Sequence, residues 1–153
     1  WTVVRRMFPD ANIPVLQRLM ENILPRALVE SSVRNVYGDP ARVSAELVDR
    51  YYEVTLREGN REALVQRFAQ AAAGVDEART RQVQVPTLIL WGGLDRLIPL
   101  EHGMLFKRDI AGSSIVVFDD LGHVPQEEAP ARTVAAARQF LESQNFMAAG
   151  VSR

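Results

Sequence analysis

Apolar residues in the first half of the chain recur at helical spacing. Between Ser44 and Gly59 they follow one another at intervals of one, three or four positions: Leu47, Val48, Tyr51, Tyr52 and Leu56. This spacing predicts an amphipathic helix with Ser44 at its N-cap and Gly59 as its stop. Similar patterns predict helices over residues 14–21, 25–37 and 60–74, and no segment before about residue 80 has the pattern of a strand.

The second half has short apolar runs separated by turns and helical segments. Residues 83–85 and 87–91 are apolar and rich in β-branched side chains, which predicts a buried strand, and residues 115–118 predict a second one. Helices are predicted over 99–110 and 131–141, with a loop over 119–130 and a frayed tail over 145–153. The order strand, helix, strand, helix predicts parallel strands covered by helices, the α/β class.

Composition narrows the classes of function. The 153 residues are 47% hydrophobic and 24% charged, with a net charge of −1, so the chain lacks the basic surplus of nucleic-acid-binding proteins. It has no cysteine and two histidines, which argues against disulfides, thiolate metal sites and His-rich metal sites. No apolar run reaches the roughly 18 residues of a membrane span, and no signal peptide is visible, so we expect no membrane partner and a cytoplasmic location.

Two side chains with catalytic potential follow the predicted strands. Asp95 comes directly after the turn at Gly92 and Gly93, and His123 comes after Gly122 in the loop beyond the second strand. The carboxyl ends of neighbouring parallel strands meet at one edge of the sheet, where ligands and catalytic groups collect. We therefore expect Asp95 to hydrogen-bond His123 and to orient it as a general base. The glycines are expected to permit the tight turns.

Other polar residues have simpler interpretations. Asp95 could be a turn-forming acid alone, and Asp119 or Asp120 could replace it as the partner of His123. Glu127 and Glu128 precede a predicted helix, where acids interact favourably with the helix dipole. His102, near the start of a predicted helix, is expected to be solvated, and Trp91 is expected to belong to the core.

The stretches VPTLILWGGLDRLIPLEHG and SSIVVFDDLGHVPQEEAP resemble the C-terminal part of an α/β-hydrolase. In that family an acid follows the next-to-last strand and a histidine follows the last, after a nucleophile located earlier in the chain. The resemblance covers residues 83–143 and implies that Asp95 is the acid and His123 the base. It implies no metal and no cofactor, and no glycine-rich phosphate loop follows a strand here.

The preceding helical region resembles the cap that many family members insert before the acid-bearing strand. We therefore predict a helical cap over residues 1–80 and the final β-α-β-α of the hydrolase core over residues 81–153. Two strands make an incomplete parallel sheet, because such sheets are covered on both faces and need further neighbours. The edge left unpaired should favour self-association.

The nucleophile of the family pattern is absent from this sequence. None of the seven serines lies in a Gly-x-Ser-x-Gly elbow. We therefore expect the chain to be a fragment of a hydrolase, inactive alone, whose elbow would precede Trp1. An esterase-like serine hydrolase acting on a small ester is the first expectation; carbon–carbon bonds of diketones, epoxides and carbon–halogen bonds are alternatives on the same fold, some of them using an Asp nucleophile. A non-catalytic, self-associating module with the hydrolase shape is the other hypothesis.

Overall fold

The computed structural model describes residues 25–71 and 77–144, and the chain divides into two units, Trp1–Asp76 and Glu77–Arg153. The helix predicted over residues 14–21 and the tail predicted over 145–153 lie outside the described residues. The described elements of the first unit are α1 (Arg26–Val36), a 3₁₀ helix (Pro40–Arg42), α2 (Ala45–Leu56) and α3 (Asn60–Ala71). Those of the second unit are α4 (Glu77–Thr80), β1 (Leu88–Gly92), α5 (Leu100–Asp109), β2 (Ser114–Phe118), α6 (Pro125–Glu128) and α7 (Pro130–Ser143).

The described part of the first unit is helical, as its apolar spacing predicts. The hydroxyl of Ser44 accepts a hydrogen bond from the Leu47 amide at 3.2 Å, so the predicted N-cap of α2 is confirmed. Helix α1 buries Val29 and Val33, one turn apart, and α2 buries Val48. These residues form a small apolar core because α1 packs against α2, which in turn contacts α3.

The second unit contains the predicted parallel pair of strands. Strand β1 pairs with β2 in parallel, in a register that aligns Leu88 with Ser114 and Gly92 with Phe118. Helix α5 forms the crossover between the strands and contacts both, while α6 and α7 contact β1. Because Gly92 and Phe118 are register partners, the segments that follow the two strands leave the sheet side by side.

Two sequence-based assignments in this unit were wrong. Residues 83–85 were predicted as part of a strand but lie outside both strands, and Val85 is 67% exposed. Pro86 lacks the N–H group that a strand ladder needs, which explains why β1 starts only after it. The predicted loop over 119–130 contains helix α6, and α7 begins at Pro130 because proline is well suited to the first turn of a helix.

Candidate active site

The structure brings Asp95 and His123 together at the carboxyl end of the strand pair. Asp95 lies just beyond β1, and His123 lies in the segment between β2 and α6. Imidazole Nδ1 of His123 is 2.8 Å from carboxylate Oδ2 of Asp95. The carboxylate side chain is 5% exposed and the imidazole side chain 34% exposed. The acid is thus enclosed, while the ring keeps accessible surface for a reactant.

Asp95 also builds the turn that presents it. Its other oxygen, Oδ1, accepts hydrogen bonds from the backbone amides of Leu97 at 2.8 Å and Ile98 at 2.9 Å. Such side-chain bonds to amides two and three residues further on are typical of aspartate in turns. The turn-forming interpretation and the contact with His123 therefore both hold, each using a different oxygen of one carboxylate.

Opposing effects set the protonation of the pair. Burial favours the neutral form of Asp95, but the hydrogen bonds from His123, Ile98 and Leu97 together outweigh it and lower the pKa of Asp95 below its ordinary value. The hydrogen bond to Asp95 raises the pKa of His123; burial opposes this increase, and the negative charge of Asp95 adds to it. The carboxylate is therefore ionised near neutral pH and stabilises the charged imidazolium.

An ionised carboxylate can only accept hydrogen bonds, which defines the tautomer of His123. When the ring is neutral, its proton lies on Nδ1 and is donated to Asp95 Oδ2, so Nε2 keeps a free electron pair. A nitrogen in this state can take a proton from a hydroxyl group or a water molecule, and the carboxylate compensates the charge that then develops. The arrangement is suited to general-base chemistry.

Backbone contacts hold the segments that carry the acid and the base against each other. The Gly93 amide donates to the Phe118 carbonyl and the Leu94 amide to the Leu121 carbonyl, each at 2.8 Å. A Cβ at Gly92 would come within 1.8 Å of the Gly122 carbonyl oxygen. Neither Gly92 nor Gly122 has a positive φ, so the expected conformational freedom is not what these glycines supply. Gly92 is required because two backbones approach closely.

The other candidate residues have partners or positions away from this contact. Asp120 forms a two-pronged ion pair with Arg132, at 2.7 and 2.9 Å, and does not replace Asp95. His102 is exposed on α5, as expected. Trp91 was expected in the core but is partly exposed; its ring packs against Gly103 and lies 6.4 Å from that of Phe106.

The sequence did not reveal the burial of one residue in this region. Glu128 precedes helix α7, as predicted, but the residue is only 3% exposed, and its Oε1 accepts a hydrogen bond from the Gly122 amide at 2.6 Å. Pro125, one helical turn earlier in α6, is buried too, whereas Glu127 is exposed. Glu128 lies three residues after Pro125 in the short helix, and this spacing is the sequence signal that distinguishes it from Glu127. The signal can be used only if the helix is already known.

Two further observations concern cofactors and membranes. In residues 25–71 and 77–144, no group of three or more histidine, aspartate or glutamate side chains is arranged to hold a metal ion. None of the helices in these ranges has the length and apolar character needed to cross a membrane.

The profile of the alpha/beta hydrolase family matches residues 3–137. The chain belongs to the alpha/beta hydrolase family. The predicted family and fold class are thereby confirmed, and the two-stranded parallel sheet represents part of the hydrolase core.

Curated relatives of this alpha/beta hydrolase chain are themselves hydrolases. It is 24% identical to the uncharacterised hydrolase YugF of Bacillus subtilis over 119 residues, which are 78% of this chain and 44% of the relative. It is 32% identical to the 2-hydroxy-6-oxo-2,4-heptadienoate hydrolase of Pseudomonas putida over 114 residues, 70% of this chain and 41% of the relative.

Solved structures of hydrolases share the fold of this chain. The meta-cleavage product hydrolase from Pseudomonas fluorescens superposes with a TM-score of 0.70 at 21% identity, covering 82% of this chain and 48% of that one. An esterase from Exiguobacterium antarcticum gives a TM-score of 0.68 at 16% identity, covering 91% and 47%. This alpha/beta hydrolase chain therefore spans less than half the length of these relatives.

Proposed function

We propose that this chain carries the acid and the base of a hydrolase active site, with Asp95 orienting His123. The single observation that carries the proposal is the 2.8 Å contact between His123 Nδ1 and Asp95 Oδ2, made by a carboxylate that is only 5% exposed. A buried, ionised carboxylate on one ring nitrogen leaves the other nitrogen as a base, which is the function of a histidine in a catalytic triad.

The nucleophile would come from outside the 153 residues. None of the seven serines lies in a Gly-x-Ser-x-Gly elbow, and the chain spans less than half of the relatives it matches. In the intact enzyme, His123 Nε2 takes the hydroxyl proton of a serine as its oxygen attacks the substrate carbonyl. The proton passes to the leaving group as the scissile bond breaks. His123 then deprotonates a water molecule, which releases the acyl group and restores the serine.

Esters of small organic acids are the first substrate class. The activity of the Pseudomonas putida relative, a 2-hydroxy-6-oxo-2,4-heptadienoate hydrolase, supports a second class, 2-hydroxy-6-oxo dienoates, whose hydrolysis breaks a carbon–carbon bond. Both need the same acid and base, so the contact between Asp95 and His123 does not choose between them. Residues 1–80 are proposed to form the cap of the intact enzyme.

A chimera tests the proposal. The part of the Pseudomonas putida hydrolase that precedes the matched region would be joined to this chain and assayed with activated short-chain esters and with 2-hydroxy-6-oxo-2,4-heptadienoate. We expect turnover of at least one substrate, and a fall in kcat of roughly 10⁴-fold or more for His123→Ala and for Asp95→Asn. The 153-residue chain alone should show no turnover, because it lacks a nucleophile elbow.

His102→Ala is the matched control, since His102 is the other histidine and is exposed. It should leave turnover by the chimera unchanged. A chimera that hydrolyses substrate equally well after His123→Ala would contradict the proposal. Ester turnover by the chain alone that disappears in His123→Ala would contradict the predicted inactivity.

A self-associating module is the second candidate, and one observation favours it. Among the described residues β1 pairs with β2 and with no other strand, so one edge of β1 lacks a strand partner. Parallel strands are normally covered on both sides, and an open edge can pair with another chain.

The cytoplasmic location expected from the sequence stays a prediction.

A further inference from the structure

Glu128 is a buried acid next to the proposed catalytic histidine. The residue is 3% exposed, and its Oε1 accepts a hydrogen bond from the Gly122 amide at 2.6 Å. An ionised carboxylate at this depth is costly unless hydrogen bonds compensate for the lost water. A bond from an amide to a carboxylate is among the stronger hydrogen bonds in proteins. The contact is thus a rigid attachment point in the segment that ends in His123.

The peptide group between Leu121 and Gly122 is held at both of its polar atoms. Its carbonyl oxygen, on Leu121, accepts a hydrogen bond from the Leu94 amide at 2.8 Å. Its N–H, on Gly122, donates to Glu128. Leu94 immediately precedes Asp95, so one end of the peptide is tied to the turn of the acid and the other to helix α6. The plane of this peptide is therefore fixed directly before the histidine.

The orientation of the peptide between Leu121 and Gly122 sets the position of the His123 backbone. A rotation about it would move the Cα of His123 and swing the ring away from Asp95 Oδ2, to which Nδ1 is now 2.8 Å distant. Gly122 has no side chain that could restrict such a rotation, and the ring is 34% exposed, so packing around it is incomplete. A hydrogen bond on the Gly122 amide supplies the missing restraint.

We propose that Glu128 is a positioning residue, whose carboxylate holds the Gly122 amide so that the His123 ring stays in contact with Asp95. The role rests on the proposed function, in which His123 is the base. It predicts that an acceptor at position 128 matters more than its charge, because the restraint is a hydrogen bond from a neutral amide.

Two substitutions separate these effects. Glu128→Gln and Glu128→Ala both remove the charge, but glutamine keeps an oxygen that can accept from Gly122. Glu127→Ala is the matched control, since Glu127 is the exposed neighbour in the same helix. The measurement is an NMR pH titration of the His123 ring in the complete 153-residue chain, with His102 as the internal reference.

We expect Glu127→Ala to titrate as the unmodified chain. Glu128→Ala should lower the proton affinity of His123 by up to about tenfold, since the hydrogen bond to Asp95 loosens, and Glu128→Gln should retain most of the affinity. His102 should not change in any variant. An unchanged His123 titration in folded Glu128→Ala would overturn the proposal, and so would equal shifts in both variants, which indicate an effect of charge alone.

Circular dichroism would establish that each variant is folded. If Glu128→Ala does not fold, the unmodified chain still decides the question. The Gly122 amide should then exchange with solvent at least about tenfold more slowly than an exposed loop amide. An amide that exchanges as freely as an exposed one would overturn the proposal. Since no turnover is measured, an inactive chimera with a normal His123 titration would count against the hydrolase function alone.

Discussion

Asp95 performs two tasks with its two carboxylate oxygens. Oδ1 accepts from the amides of Leu97 and Ile98, and Oδ2 contacts Nδ1 of His123. The bonds from Leu97 and Ile98 lie within the turn that contains Asp95. They therefore orient the carboxylate independently of His123. This division explains how a nearly buried acid can remain ionised, because hydrogen bonds replace the water lost on burial.

The pair should give stability a defined dependence on pH. The pKa of His123 is raised, so its contribution is complete below its ordinary value of 6.5 and is lost as the pH rises through the raised value. The pKa of Asp95 is lowered, so its contribution is present above its ordinary value of 3.8 and is lost as the pH falls through the lowered value.

Asp95→Asn tests this dependence. We expect the unmodified chain to exceed the variant in thermal stability most clearly between about pH 4 and pH 6.5, with a smaller difference toward about pH 9 as His123 loses its charge. The measurement is the unfolding midpoint across this range. His102→Ala should give no comparable pH dependence. A difference between Asp95→Asn and the unmodified chain that stays constant from about pH 5 to pH 9 would disprove the coupling.

The two strand ends continue to contact each other beyond the sheet. After the last register pair, Gly92 with Phe118, the Gly93 amide still donates to the Phe118 carbonyl. The next contact joins Leu94 to Leu121, whose side chain is fully buried. The close approach at Gly92 is part of this contact. The distance between Asp95 and His123 therefore depends on the absence of a side chain at position 92.

Gly92→Ala should therefore disturb both stability and the site. The added Cβ would lie 1.8 Å from the Gly122 carbonyl oxygen, so backbone must move. We expect a loss in the free energy of unfolding of about 3 kcal/mol or more, at or above the upper end for overpacking, together with a lower pKa of His123. Chemical denaturation and the NMR titration would measure the two effects.

Gly112→Ala provides the control for this substitution. An added Cβ meets nothing within 4 Å there, and the φ of +72° alone should cost about 1–2 kcal/mol. The His123 titration should not change. If Gly92→Ala destabilises the chain no more than Gly112→Ala does, the close approach at Gly92 does not contribute to stability.

The described part of the unit Glu77–Arg153 carries exposed apolar side chains. Several of its large apolar side chains are more than two-fifths exposed: Val85, Leu94, Met104, Leu105, Val134 and Leu141. Together with the unpaired edge of β1 in the described residues, this surface offers a place for another chain to bind.

Self-association of the 153-residue chain is the expected consequence. Sedimentation equilibrium over an approximately hundredfold range of concentration should show a rising average mass, since edge pairing is governed by mass action. Val85→Lys, a change at a 67% exposed residue preceding β1, should weaken association. Val54→Lys, at a 43% exposed residue in the first unit, should not. A clean monomer at the highest concentration would rule out the edge as an interface.

Local sequence patterns were sufficient to predict the hydrolase core elements and the two chemical groups. Strand β1, strand β2 and helices α5 and α7 follow from short apolar runs and helical spacing, because these depend on neighbours in the chain. Asp95 and His123 could be selected because each lies shortly after the end of a strand, and parallel strands place such positions at one edge. The predicted element boundaries were wrong at Pro86 and around α6, because a single proline and a four-residue helix set the boundaries there.

Tertiary structure decided the contacts that give those groups their properties. The 2.8 Å bond between Asp95 and His123 joins residues 28 positions apart, and no local pattern contains such a distance. Glu127 and Glu128 are adjacent and chemically identical, yet one is exposed and the other is buried against Gly122. Burial and hydrogen-bond partners depend on which distant segments pack together, and these determine the charge state of a carboxylate and the direction of a ring.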